Sequence, residues 1–155
     1  MILRGSGRFV KMFDQNREAV LRQAIEDLYF GYRAFTALPD EILAASGLGR
    51  THHRVLYFVC RRPGMSIGEL VALLDVTKQA LHRPIKDLEV RGLVVNASDP
   101  GDRRVRRLTA TDAGSDLERR LTHTQMVMLD EVFADGDGDW YSVTGRMANL
   151  AREKG

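Results

Sequence analysis

Two helix starts lie close together in the middle of the sequence, and this pair constrains the fold more than any other feature. Ser66 and Glu69 have the spacing of a capping box, in which the serine hydroxyl accepts from the third helical amide and the glutamate bonds back. Asp75-Val76 is a tight connection, and Thr77 can cap a second helix that ends before Gly92. Two short helices joined this closely, after a third helix, form a helix-turn-helix.

The third helix comes just before this pair. It is predicted to run from Thr51, as its N-cap, to about Arg62, with a buried face of Val55, Leu56 and Val59. The sequence Arg-Arg-Pro-Gly at 61–64 then provides a stop and a turn.

A β-hairpin is predicted directly after the helix-turn-helix. Residues 93–98 and 105–110 have strand composition, and the sequence Asp-Pro-Gly-Asp at 99–102 has turn chemistry. Because side chains alternate along a strand, we expect Arg104 and Arg106 on one face. We also expect Asp102 to hold an arginine in a salt bridge. Guanidinium groups cluster at and beside the tip of this hairpin, on Arg103, Arg104, Arg106 and Arg107.

Longer helices are predicted on both sides of this central region. The first has Asp14 as its N-cap and runs to about Leu38, where Pro39-Asp40 should end it and open a short helix to about Ser46. Residues 1–12 are expected to form a loose tail. The apolar residues of the first helix recur at steps of four and three, a seam that favours packing against another helix, at Leu21, Ile25, Leu28, Tyr32 and Phe35.

Helices are also predicted on the C-terminal side of the central region. Thr111-Asp112 should cap a helix to about Phe133, residues 135–139 should form a loop, and a final helix should follow from Trp140.

Composition and charge limit the function classes. A chain of 155 residues, 44% hydrophobic, can bury one core, and its longest apolar run, residues 55–60, is far too short to span a membrane. One cysteine, Cys60, and the lack of an apolar leader favour a cytoplasmic protein. Residues 50–107 carry 12 Lys and Arg against 6 Asp and Glu, so the centre is basic and the ends are acidic. This division favours a polyanionic partner for the centre.

The ordered motifs resemble those of the MarR family of winged-helix transcription regulators. The motifs lie within about residues 48–118, and any one of them alone would be weak evidence. They are Pro63 to Leu70, Val76 to Leu81, Leu88 to Val94, Asp99 to Arg104, and Thr111 to Gly114. The resemblance implies a homodimer that binds pseudo-palindromic double-stranded DNA and is commonly released by a small, often aromatic, ligand. The sequence departs from the family at Pro84, inside the second helix of the pair, and at Ala110.

The expected fold is therefore mainly α with a small β-hairpin wing. A single domain over residues 1–155 would contain a winged helix-turn-helix (51–110) flanked by N- and C-terminal dimerisation helices (14–46 and 112–155). Pro84 is expected to kink the recognition helix, because it removes one helical hydrogen bond.

Candidate DNA-binding residues follow from helical spacing. We expect Lys78, Gln79 and His82 at base edges and Thr77 at a phosphate, because the amides of a helix start attract anions. For Arg83 a DNA contact and an ion pair with an acidic neighbour both remain open. The full predicted set is Thr77, Lys78, Gln79, His82, Arg83, Lys86, Arg103, Arg104 and Arg106.

A small-molecule effector site is a further hypothesis. Aromatic residues of the first helix and two adjacent histidines could line an apolar cleft. Core or dimer contacts are the simpler explanation of the aromatic residues. The candidate residues are Tyr29, Tyr32, Phe35, His52 and His53. Cys60 is interpreted as a core cysteine, with redox sensing as the alternative. No catalytic or metal motif, and no cofactor site, is predicted. The alternative functions are a winged-helix protein-interaction module and a redox- or metal-responsive regulator of the same fold.

Overall fold

The computed structural model describes residues 2–5, 8–11, 14–134 and 139–152. The strands are β1 Ile2–Gly5, β2 Arg8–Lys11, β3 Met65–Ser66, β4 Val94–Ser98 and β5 Arg106–Ala110. The helices are α1 Gln15–Ala45, α2 Arg50–Arg61, α3 Ile67–Leu74, α4 Lys78–Val90, α5 Asp112–Ala134 and α6 Trp140–Arg152. The mainly helical fold with a small β-hairpin is confirmed, and the loop predicted at 135–139 lies almost wholly outside the described residues.

The chain divides into two compact units, Met1–Thr36 and Ala37–Gly155. In the first unit, β1 and β2 pair in antiparallel fashion, with Ile2 opposite Lys11 and Gly5 opposite Arg8. The prediction of a loose tail was therefore wrong. Only two residues separate Gly5 from Arg8, which is the commonest connection length in hairpins, and backbone bonds between strands need no apolar pattern.

Helix α1 continues through Pro39, so the predicted break at this residue was wrong. A proline removes one backbone donor but its φ is compatible with a helix. The turns after Pro39 bury Leu43, which is 1% exposed, and this burial favours continuing the helix. The helix ends at Ala45, where Gly47 takes a φ of 63° and the amide of Leu48 donates to the carbonyl of Leu43 at 2.9 Å.

Helix α2 begins at Arg50 with Gly49 as its N-cap, not at the predicted Thr51. Glycine has no side chain to cap the helix. The ring of His52 instead turns back, and its Nδ1 accepts from the amide of Gly49 at 3.0 Å. The start of the helix is thus set by a side chain inside its first turn.

The N-caps predicted at Ser66, Thr77 and Asp14 are confirmed. Ser66 Oγ accepts from the amide of Glu69 at 3.1 Å, and the Glu69 carboxylate accepts from the amide of Ser66 at 2.6 Å. The bond from the Ser66 amide lowers the pKa of Glu69. Thr77 Oγ1 accepts from the amide of Ala80 at 3.1 Å, and Asp14 Oδ1 from that of Arg17 at 2.8 Å.

One core holds the second unit together. Strand β5 lies between β3 and β4, and α2 is the central helix, with Val55, Leu56 and Val59 fully buried. The sheet partner β3 was not predicted, because two residues are too short for a period-2 pattern to show. The remaining core residues come from each element of the winged helix and its flanking helices: Leu43, Leu48, Met65, Leu70, Leu81, Ile85, Leu88, Val94, Leu108, Leu117 and Leu121.

Candidate nucleic-acid interface

Helix α4 buries one face and exposes the opposite one. Leu81, Ile85 and Leu88 are at most 4% exposed. At 100° per residue, Gln79 and Arg83 lie on the side opposite this buried face. All the polar candidates on the helix are exposed: Thr77, Lys78, Gln79, His82, Arg83 and Lys86. The structure therefore presents these side chains together, with Gln79 and Arg83 outermost.

A second row of polar side chains on α4 faces the hairpin. Lys78, His82 and Lys86 follow one another at intervals of four residues, so they form one row along the helix. They line a shallow cleft whose other walls include Ile67 of α3 and Asn96 of β4. We call Lys78, His82 and Lys86 the flank row, and Gln79 and Arg83 the outer row.

Helix α4 is continuous through Pro84. The proline removes the amide that would donate to the carbonyl of Ala80, so the helix lacks one bond between its first and second halves. The kink predicted at this residue stays a prediction.

The hairpin turn is organised by Asp99 rather than by Asp102. Asp99 Oδ1 accepts from the amides of Gly101 and Asp102 at 2.7 and 3.1 Å, and its Oδ2 forms an ion pair with Arg107. The hydrogen bond from Arg107, with those from the two amides, lowers the pKa of Asp99. The expected salt bridge at Asp102 was wrong, because this carboxylate accepts from the backbone amide of Arg104 at 2.9 Å. The side chain of an aspartate in a turn commonly accepts a hydrogen bond from the amide two residues later. This tendency accounts for the amide bonds of both Asp99 and Asp102.

The four arginines of the hairpin divide into two pairs. Arg107 binds Asp99 and donates to the carbonyl of Gly64 at 2.9 Å, so it ties the turn to the residues before β3. Arg106 donates to Asn96 Oδ1 and Ser98 Oγ, both at 3.0 Å. Both guanidiniums are engaged by neighbouring groups of the protein.

Arg103 and Arg104 stand apart from this pair. They lie in the turn before β5, so the expected alternation of Arg104 with Arg106 along a strand was wrong. Both residues are exposed, and their side chains make no hydrogen bond or ion pair among the described residues. These two cations are the ones available at the hairpin tip.

Sequence reasoning missed Asn96, which borders the cleft and holds Arg106. Its position two residues before the end of a strand carries no chemical signature of its own. The packing of β4 beside α4 brings it next to the flank row.

The effector-site candidates fall in different units of the chain. Tyr29, Tyr32 and Phe35 belong to the first unit, and Tyr29 and Tyr32 are largely exposed. In the second unit both ring nitrogens of His52 have partners, Gly49 and Asp87. Nε2 of His53 is buried, and no group of the described residues forms a hydrogen bond with it. Burial lowers the pKa of His53. The effector site stays a prediction.

Cys60 is half-buried on α2, where burial raises the pKa of its thiol. A raised pKa means less thiolate at neutral pH, and the thiolate is the form that reacts. We expect the native protein at pH 7 to react with iodoacetamide more slowly than the urea-unfolded chain. Mass spectrometry of the alkylated protein over time measures both rates. Equal rates would instead favour a redox-sensing thiol.

No group of three or more His, Cys, Asp or Glu residues in the described ranges could hold a metal ion. Among the helices of those ranges, none is long and apolar enough to cross a membrane.

A helix-turn-helix followed by an antiparallel hairpin with basic side chains at its tip defines a winged helix-turn-helix protein. The chain belongs to the MarR family: the family's sequence profile matches residues 46–105. The HTH-type transcriptional regulator PetP of Rhodobacter capsulatus is 43% identical over 109 residues, which cover 70% of this chain and 66% of PetP. The match thus spans slightly less than two thirds of that relative.

Solved structures share the fold. Streptococcus pneumoniae FabT in complex with DNA superposes with a TM-score of 0.73 at 17% identity, over 85% of this chain and 95% of that one. A MarR protein from Peptoclostridium difficile gives a TM-score of 0.68 at 22% identity, over 97% and 94%. At these identities the similarity concerns the fold.

Proposed function

We propose that this protein is a sequence-specific DNA-binding transcriptional regulator. The observation that carries the proposal is the exposed polar face of α4, with its outer and flank rows, beside a hairpin that presents Arg103 and Arg104 at its tip. An α-helix fits the major groove, and arginine suits the narrow, electronegative minor groove next to it. The family membership and the regulator function of PetP support the same reading. A cytoplasmic location accords with this role.

The two rows on α4 have different roles in this proposal. Gln79 and Arg83 lie on the side of α4 opposite its buried face, and their side chains match adenine and guanine edges. Lys78, His82 and Lys86 lie toward the hairpin, where the DNA backbone would pass between the two reading elements, so they contact phosphates. This refines the sequence prediction, which placed Lys78 and His82 at base edges.

The regulator acts as a homodimer in this proposal. Large apolar side chains are exposed on helices at both ends of the chain, a pattern that favours burial against another copy. On α1 they are Val20, Ile25, Leu28, Tyr29, Phe30, Tyr32 and Leu38; on α5 and α6 they are Met126, Val127, Val132, Val143, Met147 and Leu150. A dimer would set two recognition helices about 34–36 Å apart, one turn of DNA. On the basis of the family resemblance, we also propose that the regulator represses transcription and that a small aromatic ligand releases it from DNA.

Fluorescence anisotropy tests the DNA-binding role. The probe is a labelled duplex from the region upstream of the protein's own gene, at about 150 mM salt, with a scrambled duplex as control. We expect a Kd near 10⁻⁸ M for the first and about 10⁻⁵ M for the second. If that region gives no discrimination, duplexes selected from a random library provide the second probe. Equal weak binding to every sequence would contradict the proposal and favour a protein-interaction module.

Arg104→Ala tests the hairpin contact. Loss of one cationic contact with the DNA should weaken binding to all duplexes and reduce the slope of log K against log salt by about one unit. Arg119→Ala is the matched control, because Arg119 is an exposed arginine of α5 paired with Asp116. Anisotropy titrations at several salt concentrations give both slopes. An unchanged slope for Arg104→Ala would exclude a DNA contact by Arg104.

A further inference from the structure

Asp87, on the second half of α4, joins the recognition helix to α2. Its Oδ2 lies 3.3 Å from Nε2 of His52 and 3.8 Å from Nε of Arg83. The three side chains pass from the interior to solvent: that of His52 is 14% exposed, that of Asp87 39% and that of Arg83 92%. One carboxylate oxygen thus lies between a largely buried imidazole and the side chain of an exposed arginine.

The ring of His52 has a defined tautomer in this arrangement. Its Nδ1 accepts from the amide of Gly49 at 3.0 Å, so this nitrogen carries no proton. The proton of a neutral imidazole is then on Nε2, and it is donated to Asp87. The bond that starts α2 therefore also aims the donor that holds Asp87.

This contact lies on the C-terminal side of Pro84, in the second half of α4. Arg91, at the C-cap of α4, donates to the carbonyl of Ser46 at 2.6 Å, a second tie between the end of α4 and the residues before α2. The first half of α4 lacks the bond that Pro84 cannot make. The Arg83–Asp87 pair reaches across this position, from the outer row to the second half of α4.

We propose that His52 is a positioning residue for DNA reading: it holds Asp87, and Asp87 orients the guanidinium of Arg83 on the outer row. This inference rests on the proposed function. His52 itself touches no DNA. It acts by limiting the directions that a long, fully exposed side chain can take, which lowers the entropy that Arg83 loses when it meets a base. An unheld Asp87 carboxylate would also be free to turn toward the DNA backbone.

Two substitutions separate the functions of the ring. His52→Asn keeps an acceptor near the position of Nδ1 and so preserves the cap at Gly49, but its amide is too short to reach Asp87. His52→Gln places an amide nitrogen near the position of Nε2 and keeps the bond to Asp87, while it loses the cap. Thermal unfolding of both variants measures the structural cost of each change independently of DNA.

The experiment uses the full chain and duplexes that the wild-type protein selects from a random-sequence library. We expect His52→Asn to reduce discrimination between a selected and a scrambled duplex about tenfold, and His52→Gln to remain within about twofold of wild type. In an Arg83→Ala background, His52→Asn should cause no further loss, because the effect of His52 passes through Arg83.

Equal losses for the two His52 variants, or a full additional loss in the Arg83→Ala background, would overturn the inference in favour of a purely structural histidine. Wild-type protein that enriches no sequence would be a different failure, since it would overturn the proposed DNA-reading function itself.

Discussion

Gly114→Ala is expected to destabilise the protein by about 3 kcal/mol, the upper end of the usual cost of overpacking. A Cβ at residue 114 would lie 1.9 Å from the carbonyl oxygen of Leu93 and 2.9 Å from its carbon, and both are backbone atoms. No side-chain rotation relieves such a contact. Helix α5 and the residue before β4 would have to separate.

The neighbouring hydrogen bonds oppose that separation. The Leu93 carbonyl accepts from the amide of Thr111 at 3.1 Å, and Thr111 Oγ1 donates to the carbonyl of Gly92 at 2.7 Å. The amide of Gly114 itself donates to Thr111 Oγ1 at 3.1 Å. A shift that accommodates the methyl group would stretch these bonds, so the strain is shared with the start of the hairpin.

Urea unfolding followed by circular dichroism measures the change in the free energy of unfolding, and thermal unfolding measures the change in the melting temperature. The melting temperature should fall by roughly 6–12 °C for a chain of this size. Gly145→Ala is the control, since in the described part of the chain no atom other than the backbone of its own helix lies within 4 Å of a Cβ built at this position. The substitution should stabilise α6 by up to about 1 kcal/mol. Equal stabilities for Gly114→Ala and wild type would mean that α5 can leave the hairpin freely.

Sequence predicts the parts of this fold that depend on neighbouring residues. The caps at Ser66, Thr77 and Thr111 were predictable because each hydroxyl bonds an amide three residues away. The path of α1 through Pro39 was not, because burial of Leu43 in a core formed by distant residues outweighs the local signal of a proline.

The candidate site shows the same limit. Helical spacing predicts which side chains of α4 are outward, and the five proposed residues of the helix are exposed, as is its N-cap Thr77. It does not predict that Asn96 of β4 adjoins the flank row, or that His52 of α2 meets Asp87, because both depend on tertiary packing. Likewise, four arginines near the hairpin tip look equivalent in the sequence. The bonds of Arg106 and Arg107 to Asn96 and Asp99 distinguish them from Arg103 and Arg104.

The outer row is where sequence reading should depend most on individual side chains. Replacing both Gln79 and Arg83 by alanine removes two side chains that can each form a bidentate bond to a base. At about 1–3 kcal/mol for each bond, the affinity for a selected duplex should fall about 100-fold or more, and binding to a scrambled duplex should change far less.

The flank row provides the matched control for that result. Lys78→Ala with Lys86→Ala also changes two long polar side chains of the same helix, but these lie on the side toward β4. If they contact phosphates, their loss should weaken selected and scrambled duplexes alike and reduce the salt slope by about two units. Anisotropy titrations of both double variants, at several salt concentrations, distinguish the two rows. Loss of discrimination in the lysine variant, with discrimination retained in the Gln79 and Arg83 variant, would reverse the assignment and place the bases on the hairpin side of α4.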